Sequence, residues 1–428
     1  MRLSDALRIG LATAGLQRSQ WRSEAYIRAS QQARLGQILT FALQRVPHYQ
    51  RLDVSTRDGR PADWLARLPV LTKHDLQLAG DDLLAEGISK DRLHSSRTSG
   101  STGEPTVAYF DRSTWLLTKY ALKLRRMLSY RLGPGTRVLI VSEADETRLQ
   151  SQRGSVLAGE GRFFRQAYLS LHTPLENHVR ELQSLRPHAI YAFPSYLSDL
   201  LDYCEYRSLV LPPVKVVFTS SEIMPAALRR RLTEKLGARV CDIYGCTEFK
   251  EIAWQCDAGC YHVNHESVWI ESLPGAETGE PGTLLLTTLV NRAAPLIRYR
   301  VGDLGRLEWT RCSCGREGPA LSELVGREVE LLELPGGRRL SPYLLTTAVE
   351  DAAGLRQYQF VQTAADCLEL RFSTVNGYLP DRALLQARLH ALLGKNVQVQ
   401  LKEVAAIPRT SGGKRKVFVR DPGVRGAR

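Results

Sequence analysis

The chain has 428 residues, 43% of them hydrophobic and 24% charged, enough apolar surface to build a core for two or three domains. No apolar run reaches about 18 residues, which excludes a membrane-spanning helix. The formal charge of +13, from 58 basic and 45 acidic side chains, is spread along the sequence, which argues against nucleic acid and fits an anionic small-molecule substrate.

In chain order, residues 1–90 read as polar and largely helical, with breaks at Pro47 and Pro69. Only Ile9 to Leu11 separates Arg8 from the small residues Ala12, Thr13 and Ala14. That is far too short for the apolar core of a signal peptide, so an amphipathic first helix and a cytoplasmic protein are expected. Residues 98–103 (Thr98, Ser99, Gly100, Ser101, Thr102, Gly103) then place four hydroxyls and two glycines in six positions. Such a stretch is either a flexible surface link or a concavity of backbone N–H groups that holds phosphate. It lacks the Gly-Lys-Ser/Thr ending of a Walker A loop. Residues 137–141, 189–192, 214–219 and 239–244 read as buried strands. They alternate with helical patterns at 196–207 and 225–236. This order implies an α/β fold with a mostly parallel sheet and ligand loops at the strand C-terminal ends. From residue 282 the pattern turns to β, with strands at 284–288 and 304–309. Beyond residue 326 a small α+β module is expected, with a hairpin turn at Gly336-Gly337 and helices at 342–352 and 380–393.

Three further stretches carry chemistry. Tyr244, Gly245, Cys246, Thr247 and Glu248 follow the fourth strand directly. They offer a hydroxyl for a phosphate oxygen and a carboxylate for Mg²⁺, or else a tight turn with a helix N-cap. Tyr299 to Asp303 (Tyr-Arg-Val-Gly-Asp) offers a carboxylate for both ribose hydroxyls, or a surface turn with a local ion pair. Pro408 to Lys414 puts a lysine on a Gly-rich loop able to reach into a cleft, or forms a solvated basic tail.

Taken together and in this order, the four stretches resemble the adenylate-forming enzyme superfamily over roughly residues 40–420. Pro295-Leu296-Ile297-Arg298-Tyr299-Arg300 and Cys312-Ser313-Cys314-Gly315-Arg316 are similar to its phenylacetate–CoA ligase and capsule-biosynthesis branch. The resemblance implies a large N-terminal domain, residues 1–326, with mostly parallel sheets plus a β-rich segment, and a small mobile α+β lid, residues 327–428. It implies that ATP activates a carboxylic acid to acyl-AMP and that a thiol, usually CoA, then displaces AMP. By the same resemblance Thr98 to Gly103 cradle the β- and γ-phosphates, and Thr247 contacts the α-phosphate. Glu248 binds Mg²⁺, Asp303 the ribose, and Arg327 supports the nucleotide. Tyr244 and Gly245 belong to this nucleotide site. Ser220, Ser221 and Glu222 match the segment near adenine, where a helix N-cap is the other reading. Lys414 bridges the carboxylate and the α-phosphate. The family hinge Gly-Arg-x-Asp-Asp is here Gly326-Arg327-Glu328-Val329-Glu330. That departure and the capsule-biosynthesis likeness leave an amine, hydroxyl or carrier-protein thiol open as acceptor. A homodimer is also left open.

Cys256, Cys260, His262, Cys312 and Cys314 offer five ligands where Zn²⁺ takes four. The resemblance favours Cys256, His262, Cys312 and Cys314, with Cys260 spare, as a structural site; free thiols are the alternative. Tyr191, Phe193, Tyr196 and Phe249 favour a flat aryl acid, with a core role for Phe193 as the other reading. His172, His178 and His188 show no pairing that suggests a catalytic base.

Overall fold

The computed structural model describes residues 3–56, 58–97, 106–142, 164–274, 281–328, 331–350, 352–374, 379–410 and 415–421. They fall into two compact units, residues 3–135 with 241–324, and residues 136–240 with 325–421. Among the described residues no helix is long and apolar enough to cross a membrane.

In the first unit the helix Leu3–Ser19 is amphipathic, burying Ile9, Thr13 and Leu16 along one face. The helix Glu24–Arg45 buries Ile27, Gln31, Leu35, Ile38, Leu39 and Ala42 at the same three-to-four spacing. Pro47 starts a new short helix, Pro47–Gln50, since its missing N–H costs nothing at a first helical position. The strands follow the order Val268–Ser272, Gly282–Thr288, Tyr299–Arg311, Glu317–Arg327, Tyr261–Val263, Lys250–Gln255 and Arg239–Cys246. A separate hairpin pairs His94–Arg97 with Val107–Phe110, ending at Arg97 opposite Val107. It therefore brackets residues 98–103, which lie outside the described residues.

The second unit holds a parallel set in the order Val216–Ser220, Ala189–Ala192, Thr136–Ser142, Phe164–Ser170. The strands inside this set are near-continuous apolar runs (Val216, Val217 and Phe218 are all buried), as expected when helices cover both faces of a sheet, while the edge strand Phe164–Ser170 carries Arg165 and Gln166. The helices Leu175–Leu185, Pro194–Tyr206 and Ala226–Leu236 accompany them. A smaller sheet follows, ordered Gln398–Glu403, Cys367–Thr374, Leu355–Ala364, Phe418–Arg420. It packs with the helices Pro342–Val349 and Arg382–Leu393 around Leu345, Phe360, Leu370, Leu385 and Leu389. Gly336 and Gly337, both at positive φ, turn the chain between Leu332–Glu333 and Arg339–Leu340. The mixed α/β class and the separate C-terminal α+β sheet are those expected from the sequence.

Three local expectations are corrected. The fourth strand runs past Tyr244 through Cys246, and Thr247 to Phe249 turn the chain straight back into Lys250–Gln255. No helix starts there, so the N-cap alternative for this motif falls. Tyr299 to Asp303 is not a surface turn but the first part of the strand Tyr299–Arg311. Tyr299, Val301 and Asp303 alternate inward, and an inward-facing aspartate masks the period-two pattern. Ser220 to Glu222 do not cap the helix that follows them either. Ser221 has φ +71°, and the next helix begins at Ala226 behind Pro225.

Candidate active site

The turn Thr247 to Phe249 is set by the backbone around it. The ladder shifts register at Tyr244/Gly245, and a Cβ on Gly245 would run into the carbonyl oxygen of Lys250. Glycine is therefore required by close approach. Phe249 is buried in the core and stacks on Tyr299 with ring centroids 6.3 Å apart. This fixes the neighbouring Glu248 at the head of the turn.

Two motifs that lie more than fifty residues apart are tied reciprocally. The Tyr244 hydroxyl donates to Asp303 Oδ2 at 2.8 Å, and the Tyr299 hydroxyl donates to Glu248 Oε1 at 3.1 Å. Each tyrosine thus holds the other motif's carboxylate. Tyr244, Tyr299 and Asp303 are buried, and Glu248 is half-buried. Glu248 also lines a cavity of about 240 Å³ together with Thr106, Tyr109, Lys90, Asn291 and Leu296. Thr106 is the first described residue after the Ser/Thr/Gly stretch. Lys250 connects the same two regions: its ammonium lies 5.0 Å from the Phe110 ring centroid and 5.2 Å from that of Trp115. Burial, chiefly, lowers its pKa to about 8.

The strand of the third motif is anchored from the preceding loop. Tyr49 Oη donates to Pro295 O at 3.0 Å and accepts from Ile297 N at 3.2 Å. Arg298, at φ +51°, donates to Leu68 O at 2.6 Å. The Pro295 to Arg300 stretch therefore positions the strand that carries Asp303.

In the second unit Ser220 Oγ lies 2.6 Å from the Tyr191 hydroxyl. Glu222 accepts from Ser195 N at 2.8 Å and Ser195 Oγ at 2.9 Å, and from Arg415 N at 3.3 Å. Burial raises the Glu222 pKa against the pull of those donors. Arg327 is exposed. Of the altered hinge, Glu328 pairs loosely with Arg339 at 3.9 Å, while Val329 and Glu330 lie outside the described residues, as does Lys414. Phe193 is partly buried and packs against the hydrophobic core of this unit. His178 is a core residue, its ring bonded to the Tyr196 hydroxyl at 2.8 Å and to Ser170 O at 3.0 Å.

Cys256, His262, Cys312 and Cys314 bring their ligand atoms within 4.8 Å of one another. Cys256 Sγ and Cys312 Sγ are 3.7 Å apart, and Cys314 Sγ is 3.3 Å from His262 Nε2. A tetrahedron with Zn–S bonds near 2.3 Å has sulfur–sulfur edges of about 3.8 Å, so the spacing of this set fits that ion. Burial, then Arg316 and Arg125, lower the His262 pKa to about 4. Arg316 braces the cluster from behind, donating to Cys314 Sγ at 3.3 Å and to Gln20 Oε1 at 3.0 Å with its guanidinium over Trp254.

Sequence reasoning missed Tyr299 as a carboxylate holder, and Ser195, Asp199, Arg409 and Arg415 as a polar cluster. The last was signalled by Ser195, Asp199 and Asp202, a four-then-three spacing on an otherwise apolar helix.

No protein-family model matches the chain. It is 26% identical to the phenylacetate-coenzyme A ligase of Thermus thermophilus, over 91% of this chain and 95% of that one. It is 25% identical to the phenylacetate-coenzyme A ligase of Escherichia coli, over 92% and 94%. Among solved structures its fold matches a 2-hydroxyisobutyryl-CoA ligase in complex with R3-HIB-AMP. The TM-score is 0.74 over 92% of this chain and 89% of that one, at 22% identity.

Proposed function

Because the chain is homologous to the phenylacetate–CoA ligases and has the fold of acyl-CoA ligases in the adenylate-forming superfamily, we propose that it is an AMP-forming acid–CoA ligase with an aryl acid as substrate. The acid's carboxylate oxygen attacks the α-phosphorus of ATP, and the bond to the β-phosphate oxygen breaks. Pyrophosphate leaves and acyl-AMP remains. The CoA thiolate then attacks the acyl carbonyl and AMP departs with the C–O electron pair. No general base is needed for the first step, since a carboxylic acid is already ionised at neutral pH.

The observation that carries this reading is the reciprocal Tyr244–Asp303 and Tyr299–Glu248 pairing. It presents one carboxylate suited to ribose from a strand and one suited to Mg²⁺ from a turn, each held by a tyrosine hydroxyl, with Glu248 beside a cavity that Thr106 also lines. In this reading residues 98–103 hold the β- and γ-phosphates, and Thr247 donates to the α-phosphate. Ser220 to Glu222 lie near adenine, Arg327 supports the nucleotide, and Lys414 comes from a lid formed by residues 327–428. Glu248 would hold Mg²⁺, whose chemistry when bound is to neutralise phosphate charge.

ATP–pyrophosphate exchange over a panel of carboxylic acids tests the proposal. Exchange with at least one aryl acid, followed by its CoA thioester when CoA is added, is the expected result. No exchange with any acid overturns it. Exchange without thioester formation moves the acceptor to an amine, a hydroxyl or a carrier thiol.

The Cys256, His262, Cys312 and Cys314 cluster fits structural zinc, which would clip the Cys312–Cys314 turn to the hairpin of Cys256 and His262. Metal analysis of protein purified without chelator is expected to give about one equivalent of zinc, and Cys312→Ser to lose it together with thermal stability. Less than about half an equivalent in the parent protein counts against the site.

A further inference from the structure

The helix Leu3–Ser19 has two apolar faces. One carries Ile9 and Leu16 and packs with Leu116, Tyr120, Ala121 and Leu122. The other carries Leu3, Leu7 and Leu11, which are 89%, 64% and 67% exposed. A spacing of four residues at about 100° each keeps these three leucines within one narrow arc, on the side away from Ile9 and Leu16. Ala14, also exposed, extends the arc by three positions. Scattered exposed leucines are ordinary, whereas three in register on one helix make a patch.

The rim of this patch is cationic. Arg18 follows Ala14 by four positions and so continues the same line, and Arg8 lies three positions before Leu11, at its flank. Both are exposed, as is Arg22 just past the helix. The single acid among residues 3–23 is Asp5. It is buried, and its carboxylate accepts from Arg112 Nε at 3.0 Å and from Arg112 Nη2 at 2.7 Å. A second copy of the chain is a poor cover for such a surface. Its Arg8 and Arg18 would meet their own counterparts, and three leucines fall far short of the roughly 800 Å² per partner that a stable dimer buries. An anionic bilayer surface complements both features, since the boundary of headgroups and acyl chains takes leucines while lipid phosphates take guanidinium groups. We infer that the helix Leu3–Ser19 docks the protein on an anionic lipid surface, with Leu3, Leu7 and Leu11 entering the interface and Arg8 and Arg18 meeting lipid phosphates. At 17 residues, about 25 Å, the helix lies along the surface rather than across it. Three side chains and two charges give weak, reversible adsorption that needs both contributions. The inference goes beyond the ligase reading and does not depend on it.

The test is co-sedimentation of the full-length protein with vesicles of phosphatidylcholine alone and of phosphatidylcholine with about 30% phosphatidylglycerol. Binding is expected only to the anionic vesicles and should weaken at high salt. Leu7→Ser/Leu11→Ser should lower the partition coefficient by about tenfold or more, and Arg8→Gln/Arg18→Gln by about tenfold, while Leu7→Ile/Leu11→Ile keeps it. All these positions are exposed, so urea midpoints should match the parent. No binding of the parent to anionic vesicles overturns the inference. Binding that Leu7→Ser/Leu11→Ser retains also overturns it, since net charge would then suffice. A dimer of the parent in sedimentation velocity that this double variant abolishes would assign the leucines to a second copy instead, and would overturn it as well.

Discussion

Lys414→Ala is expected to lose ATP–pyrophosphate exchange by about 10²–10³-fold, equivalent to about 2.7–4 kcal/mol of transition-state stabilisation. It should still pass a supplied acyl-AMP to CoA. The reason is electrostatic. An ionised acid must approach the α-phosphate of a polyanion, and negative charge gathers on the non-bridging oxygens as the new P–O bond forms. An ammonium between the two anions offsets their repulsion where water is excluded, and it is needed only in that step. Neighbouring cations offer poor substitutes. The Arg415 guanidinium is held by Asp199, and Arg409 is bonded to both Asp199 and Ser195. Lys414→Arg should not restore the rate fully, because a planar fork does not occupy the place of a compact ammonium. Exchange in Lys414→Ala at the parent rate would remove the lysine from the adenylation step. Loss of thioester formation from acyl-AMP to the same degree would make its role general rather than specific.

What the sequence made legible, and what it hid, follows from the range of the interactions. Val216 to Phe218 and Ala189 to Ala192 announce buried parallel strands, because a strand covered on both faces is a plain apolar run. The cysteine cluster is legible because soft ligands are rare and their spacing is short. The surface-turn alternative for Tyr299 to Asp303 fails, and no local pattern excludes it, because an inward aspartate interrupts the alternation. That aspartate is tolerated there because Tyr244, 59 positions away, donates to it. Similarly, the Thr247 to Phe249 turn lacks the Gly or Asn that marks most tight hairpins. It forms because Gly245 admits the Lys250 carbonyl and Phe249 finds Tyr299. Asp199 meets its arginines across more than two hundred positions, beyond the reach of any local pattern. Chemistry concentrated in a few adjacent residues was readable, while the partners that orient it were not.

Glu266→Ala is expected to destabilise the protein by about 3–5 kcal/mol in urea unfolding at pH 7, more than the double variant Arg125→Met/Glu266→Met. Arg125 is 2% exposed in its side chain and Glu266 9%. The guanidinium donates to Glu266 Oε1 at 2.9 Å and Oε2 at 3.0 Å, and also to Asn264 Oδ1. Ser19 donates to the same carboxylate, and His265 Nε2 lies 3.4 Å from it. Truncating the glutamate alone strands a buried cation. Removing both charges leaves Asn264 Oδ1 without its donor, at about 1–3 kcal/mol, while the Ser19 hydroxyl keeps Leu16 O at 3.2 Å. The pair also has a pH signature. Burial by itself would raise the Glu266 pKa, but Arg125, His265 and Ser19 together bring it from 4.5 to about 2. The folded carboxylate is therefore the more acidic one. Its contribution, on the order of 3 kcal/mol, is fully present above the unfolded value of 4.5 and is lost as pH falls toward about 2. Glu266→Gln should flatten the stability profile across that window while remaining below the parent at pH 7. A Glu266→Ala loss no larger than that of the double variant would mean that Arg125 finds water or another acceptor once its partner is gone. Burial would then not be what makes this pair expensive to break.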